Sequence, residues 1–206
     1  MTIAEKLQTI AENETKVFEA GKKSQYDMFW DNLQNNGNRK NYYYAFIGRW
    51  VGNCWNQEIF NPKYPIICDG ANTTNYMLFA NARLYSITIP ITIRNTTMVS
   101  TFVDMSELNT IADLTLENVT GFTNAFHSLP TLKELGIKGE IAANGFNVQS
   151  SKKLSHDSLI SIINALKDYS EDTSGTDWVV TLCSDNVAKL SEDEKLIAEN
   201  KGWRIE

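Results

Sequence analysis

Histidine is nearly absent from this chain of 206 residues, which has only His127 and His156. Two imidazoles are too few for a histidine-rich metal site. Cysteine is almost as scarce: Cys54, Cys68 and Cys183 are an odd count without C-x-x-C spacing. That argues against a disulfide scaffold and against a zinc cluster. Buried free thiols are expected, with a Cys54–Cys68 bridge as the alternative outside a cell. Positive charge is also limited. Lys and Arg number 19 against 25 Asp and Glu, a net charge of −6, and the isolated pairs Lys22-Lys23 and Lys152-Lys153 form no basic stripe, so no nucleic-acid partner is expected. No apolar run reaches about 18 residues, so no membrane-spanning helix is predicted. The opening Met1-Thr2-Ile3-Ala4-Glu5-Lys6 lacks the basic and apolar regions of a secretion signal. The G-x-S-x-G, H-E-x-x-H, P-loop and G-x-G-x-x-G phrases are missing, and the expectation is a protein without catalytic residues, metal or cofactor.

What the chain does have is a repeated phrase. Asn72-Thr73-Thr74 with Tyr76 and Phe79 returns as Asn95-Thr96-Thr97 with Val99 and Phe102, then as Asn118-Val119-Thr120 with Phe122 and Phe126. The Asn positions recur every 23 residues, and the third copy holds one extra residue before its Phe. After each Phe comes an apolar position (Leu84-Tyr85, Leu108, Leu132) and then an alternating apolar run: Ile87 to Ile93, Leu114-Thr115-Leu116, and Leu135-Gly136-Ile137. Period-two alternation in Leu and β-branched residues predicts strands. A unit of turn, irregular segment and one strand cannot bury its apolar face alone, so the units must stack. The strands then form a parallel sheet, and Phe79, Phe102 and Phe126 form an internal column. The Asn-x-Thr phrases, like Asn13-Glu14-Thr15, match a glycosylation acceptor. Their recurrence with the repeat favours a structural role, in which short polar side chains bond neighbouring backbone at a turn.

Two of these phrases carry a family resemblance. Asn118-Val119-Thr120-Gly121-Phe122-Thr123-Asn124-Ala125-Phe126 resembles N-V-T-x-M-x-x-M-F, and Leu84-Tyr85-Ser86-Ile87-Thr88-Ile89-Pro90 resembles L-x-x-I-x-I-P, both phrases of the BspA-like leucine-rich repeat proteins. The middle copy departs from the second phrase at Ile111-Ala112-Asp113-Leu114. The resemblance implies an α/β fold: a leucine-rich-repeat solenoid with short parallel strands, an N-terminal helix and C-terminal helix-strand capping units. Related repeats occur in bacterial surface proteins that adhere to host or neighbouring cells.

The remaining segments divide as follows. Residues 1–35 read as helical, with Ile3, Leu7, Ile10 and Val17 on a narrow stripe, which suits either a short coiled coil or a helix packing on its own domain. Residues 36–71 are aromatic, through Tyr42, Tyr43, Tyr44, Phe46, Trp50, Trp55, Phe60 and Tyr64. They read as an N-terminal cap for the open end of the repeats, with a ligand platform the alternative; Tyr42, Tyr43, Tyr44, Trp50 and Trp55 are the candidate binding residues. The repeats occupy residues 72–153. Residues 154–206 read as capping repeats: a helix from Ser155, a polar run at 170–177, a strand at Trp178 to Leu182, a helix capped by Ser191 and Glu194, Gly202 at its end, and a last strand at Trp203-Arg204-Ile205. Glu171, Asp172 and Asp177 lack calcium-loop spacing and are expected in a solvated loop. His127 is expected on a surface loop, and His156 in solvent at a helix start.

The function expected is therefore a non-enzymatic leucine-rich repeat binding module for a protein or glycan on a cell or virion surface. The alternative is a structural or receptor-binding component of a bacteriophage or prophage tail, assembling through the N-terminal helix as a homo-oligomer. An enzyme is the least supported class, because no constellation of groups supplies a nucleophile with its base.

Overall fold

The structure, a computed structural model, describes residues 65–69 and 75–206, together with Lys6, Gln8, Thr9, Glu12 and Asn13. The chain divides into two units, Met1–Arg39 and Lys40–Glu206. In the first, those five residues are helical and Gln8 Nε2 donates to Glu12 Oε1 at 3.2 Å, one turn on. The apolar stripe of Ile3, Leu7, Ile10 and Val17 lies outside the described residues.

The second unit is mixed α/β, with its strands paired in parallel. The strands are β1 (Ile66–Asp69), β2 (Asn75–Tyr76), β3 (Ser86–Ile87), β4 (Ile91–Arg94), β5 (Met98–Val99), β6 (Thr110–Glu117), β7 (Glu134–Gly139) and β8 (Phe146–Asn147). Helix α1 (His156–Ala165), β9 (Trp178–Thr181), α2 (Ser184–Val187), α3 (Glu192–Asn200) and β10 (Trp203–Ile205) follow. In the main sheet β1 pairs with β4, β4 and β3 both pair with β6, and β6 pairs with β7. The register follows the sequence repeat, as in Ile91 opposite Leu114 and Leu114 opposite Ile137. Alternation sets the burial: Ile91 and Ile93 of β4, and Leu114 and Leu116 of β6, face the core while their neighbours do not.

Two departures from the expected strands have local causes. The run Ile87 to Ile93 is split into β3 and β4 because Pro90 has no N–H to donate, although its carbonyl still accepts from Ile66 at 3.0 Å. The register between β6 and β7 shifts between Ile111 and Leu114, at the phrase that departs from the repeat. There the backbones close in. A Cβ on Gly136 would lie 2.3 Å from the Ala112 carbonyl oxygen, so no larger residue fits without movement.

Phe79, Phe102 and Phe126 form the expected column. Their rings stack at 5.4 and 5.6 Å, with Phe146 added at 5.0 Å, and all four are buried. Around them the chain turns through left-handed residues that recur with the repeat: Met77, Ser100 and Asn124 in one set, Asn81, Asp104 and Ser128 in another, Asn95 and Asn118 in a third. Asn, Asp and Ser dominate these positions because short polar side chains tolerate positive φ. The Asn and Thr side chains also bond one another across repeats. Asn118 Nδ2 donates to Asn95 Oδ1 at 3.2 Å, Asn95 Nδ2 to Asp69 Oδ1 at 3.1 Å, and Thr97 and Thr120 hydroxyls lie 2.9 Å apart. These contacts join side chain to side chain, while the side-chain-to-backbone bond the sequence suggested is present at Thr96, whose Oγ1 donates to the Thr97 carbonyl at 3.5 Å. Asn72 lies outside the described residues.

The C-terminal elements form where the caps predicted them. Ser155 accepts from the Ser158 N–H at the start of α1, and Ser191 with Glu194 makes a full capping box on α3. Lys201 is the C-cap of α3, with Gly202 one residue later at φ +81°. Trp178 stacks on Tyr169 at 3.9 Å and lies 5.5 Å from the buried Trp203.

Candidate functional site

A cleft of about 490 Å³ opens between Gly121, Phe122, Thr123, Asn124 and His127 of the third repeat and the segment from Asn144 to Ser150, with Thr181 on its wall. It borders the third repeat, the copy that holds an extra residue. The β2–β5 pairing runs at an interval of 23, Asn75 opposite Met98, whereas Thr97 is bridged to Gly121, 24 residues on. The segment through Phe146 and Val148 makes a further, partial turn, the fourth repeat, whose strand β8 pairs with β9, Phe146 opposite Val180 and Asn147 opposite Thr181. Among the described residues, one hydroxyl spans the gap. Ser150 Oγ donates to the Phe126 carbonyl at 3.4 Å and accepts the Leu129 N–H at 3.1 Å.

The lining mixes Phe122 and two glycines with polar side chains, holds no Asp, Glu, Lys or Arg, and has His127 as its one titratable group. Asn144 is structural: its Nδ2 donates to the Asp177 carbonyl at 3.0 Å and its Oδ1 accepts the Val179 N–H at 2.8 Å, fixing β9 beside the cleft. Asn147 Oδ1 is taken by the Gln149 N–H at 2.9 Å, and His127 Nδ1 lies 2.8 Å from Ser128 Oγ. The side chains of Thr123, Asn124, Gln149 and Thr181 make no hydrogen bond within the protein among the described residues. Such a surface can exchange hydrogen bonds with a neutral polar ligand in both directions.

Elsewhere several charged groups are paired. On the open face of the sheet Arg94 pairs with Asp69 at 2.9 Å and Glu117 at 3.9 Å, and Lys138 pairs with Asp113 at 2.6 Å. His156 is exposed, as expected, and also meets Glu194 with Nε2 at 2.9 Å from Oε1, because the first turns of α1 and α3 lie side by side. The acidic run is a held loop as well as an exposed one. Asp172 accepts from Trp178 Nε1 at 2.7 Å and Asp177 from Arg204 Nη2 at 2.6 Å. Those bonds hold both carboxyls below their ordinary value. Cys68 and Cys183 are free and buried, so Cys68 forms no bridge, and burial pushes its thiol pKa up. Cys54 lies outside the described residues. Among the described residues no three His, Cys, Asp or Glu cluster as for a metal ion, and no helix is long and apolar enough to cross a membrane.

Of the residues the sequence singled out, His127 lines the cleft, while Tyr42, Tyr43, Tyr44, Trp50 and Trp55 lie outside the described residues. The sequence reading missed Asn144, Asn147, Gln149 and Thr181. The available signals were the inserted residue of the third copy and the Asn144-Gly145 turn step, where Gly145 has φ +90°. No protein-family model matches this chain, nor does any curated protein or any solved structure.

Proposed function

We propose that this chain is a non-enzymatic recognition module, a leucine-rich-repeat solenoid of the BspA-like kind that binds a protein or glycan on a cell or virion surface. The parallel strands in register with a 23-residue repeat and the stacked Phe column support the solenoid reading. The observation that carries the function is the neutral cleft, whose unengaged hydroxyls and amides offer hydrogen bonds to a ligand. Its only titratable group, His127, stands beside Ser128 on the exposed rim, without a third group to orient the pair as a nucleophile and base.

The test is a glycan array and a displayed-peptide panel probed with the full chain and with Thr123→Trp, which fills the cleft from an exposed position. The expected result is a ligand lost in the variant at an unchanged melting temperature. A ligand that Thr123→Trp retains, but that substitution of Tyr42, Trp50 or Trp55 abolishes, would move the site to the aromatic segment. Turnover in a broad hydrolase screen, abolished by His127→Ala, would overturn the non-enzymatic reading.

A second reading, a bacteriophage or prophage tail component, is favoured by the N-terminal stretch. Its helical residues Lys6, Gln8, Thr9, Glu12 and Asn13 all lie off the apolar stripe and are exposed, an arrangement compatible with an intermolecular seam. Light scattering should then find the full chain dimeric or trimeric and both Leu7→Glu and a chain starting at Asn38 monomeric. A monomeric full chain at high concentration removes this reading.

A further inference from the structure

The backbone beside the cleft narrows the ligand class. In the first repeat the N–H groups of Met77, Phe79 and Asn81 donate to the carbonyls of Val99, Thr101 and Val103 at 2.9, 2.8 and 2.9 Å. In the second, Ser100, Phe102 and Asp104 donate to Thr123, Ala125 and His127 at 2.9, 2.9 and 3.1 Å. The same places in the third repeat belong to Asn124, Phe126 and Ser128. Asn124 and Ser128 share the left-handed backbone of their counterparts, and Phe126 stacks on Phe102. Their three N–H groups have no acceptor within the protein among the described residues. The ladder that closes each earlier repeat is thus open here, beside the cleft that Asn124 and His127 line.

Resting on the reading of the chain as a recognition module, we propose that this cleft binds a peptide with uncharged side chains, its backbone laid along the open ladder between the third and fourth repeats. In the earlier repeats the carbonyls that meet these donors also sit on alternate residues, of a neighbouring segment that turns in the same way, so a peptide following that course can offer the same acceptors. When a peptide pairs along an open backbone ladder, the main chain supplies affinity and the side chains supply selectivity. Rotation of Ser150 frees the Phe126 carbonyl to accept a ligand N–H. The lining holds no counter-charge for a charged side chain, and its one aromatic ring, Phe122, is 2% exposed and offers no platform on which a sugar ring could stack.

The experiment uses the full chain, 15N-labelled, with uncharged dodecapeptides selected on it from a phage-displayed random library. In the free chain, amide hydrogens of Asn124 and Ser128 exchange at least tenfold faster than those of Ser100 and Asp104; equal protection overturns the proposal. A selected peptide shifts the Asn124, Phe126 and Ser128 amide signals. It binds at least tenfold more weakly when one backbone amide is replaced by an ester, and at least tenfold more weakly to Thr123→Trp or Gln149→Trp. Peptides indifferent to both variants overturn it. If chitohexaose shifts those amides and no peptide does, the peptide assignment falls and the recognition module stands; if neither ligand reaches the cleft, both fall.

Discussion

The repeats from 75 to 140 and the region from 141 to 206 solve one problem in two ways. Each must satisfy the polar backbone at the edge of a strand, since a buried N–H without a partner costs about 1–3 kcal/mol. In the repeats the answer is another strand: β1, β4, β6 and β7 lie side by side, and Asn and Thr side chains pair at the same interval. Beside β7 the sheet meets helix α1, which has no free ladder to offer. Two serines on α1 take over. Ser158 Oγ accepts the Leu135 N–H at 2.8 Å and donates to the Lys133 carbonyl, and Ser161 Oγ accepts the Ile137 N–H at 2.8 Å and donates to the Ile137 carbonyl. Lysines do the same at helix and loop ends. Lys201 Nζ donates to the carbonyls of Ile163, Asn164 and Leu166, and Lys189 Nζ to those of Lys152 and Leu154. Periodic backbone pairing therefore ends where individual side chains can replace it, and the cleft lies where just one hydroxyl, Ser150, attempts the replacement.

The largest expected effect is on the side of the periodic repeats. Phe102 is fully buried between Phe79 and Phe126, so Phe102→Ala should cost about 3–5 kcal/mol, read as a lower urea midpoint. An unchanged midpoint would deny that the column holds the repeats together. The counterpart beyond β7 is Ser158→Ala. It leaves the Leu135 N–H buried without an acceptor and should cost roughly 1–3 kcal/mol. Should Ser158→Ala leave chemical stability unchanged, water rather than α1 closes the sheet edge.

How far each side was legible follows from the same contrast. Asn72, Asn95 and Asn118 at one interval announce stacked units, and Ser155, Ser191 and Glu194 announce helix starts, because caps and repeats are local or periodic signals. Ser158 and Ser161 carried no such signal. Leu159, Ile162 and Ile163 would read as the same amphipathic helix whether those serines met water or a strand edge. The tie between His156 and Glu194 likewise joins two helices distant in sequence. The cleft depended on which N–H groups lack a facing carbonyl beyond the third repeat, a question of register that composition does not answer. The sequence placed its candidate ligand contacts at Tyr42 to Trp55 because exposed rings are the familiar anchors, and it had no means of weighing an open backbone ladder.

A smaller effect separates the side-chain ladder of the repeats from their backbone. Asn118 is exposed, has φ +52°, and bonds Asn95. Asn118→Ala gives up that bond and places a residue with a Cβ but no local hydrogen bond in left-handed backbone, which costs about 1–2 kcal/mol. Asn118→Gly gives up the bond alone and should be the milder change by thermal melting. Equal losses would mean that the Asn95 contact, and not the backbone, decides the residue at this turn.

The least costly perturbation is acid, and it should be felt first in the C-terminal region. Asp168, Asp172, Asp177 and Glu194 all have pKa values below their ordinary ones: Asp168 through hydrogen bonds from Ser170, Asp172 chiefly through Trp178 Nε1, Asp177 through Arg204, and Glu194 through the Ser191 N–H and then His156. A carboxylate favoured in the folded state contributes stability above its unfolded pKa, 3.8 for Asp and 4.5 for Glu, and loses it as the pH falls through the lower folded value. These groups lie at the surface, where solvent screens them, so each contributes little. The indole signal of Trp178 isolates one of them. Its Nε1–H donates to Asp172 Oδ2 at 2.7 Å, so its proton resonance should move upfield on acidification with a midpoint below 3.8, while the Trp203 Nε1–H, which donates to the Lys167 carbonyl at 2.7 Å, should stay in place. A Trp178 midpoint at or above 3.8 would show that Asp172 is not the acceptor that orders this loop, and the 170–177 run would then be the solvated segment its composition suggests.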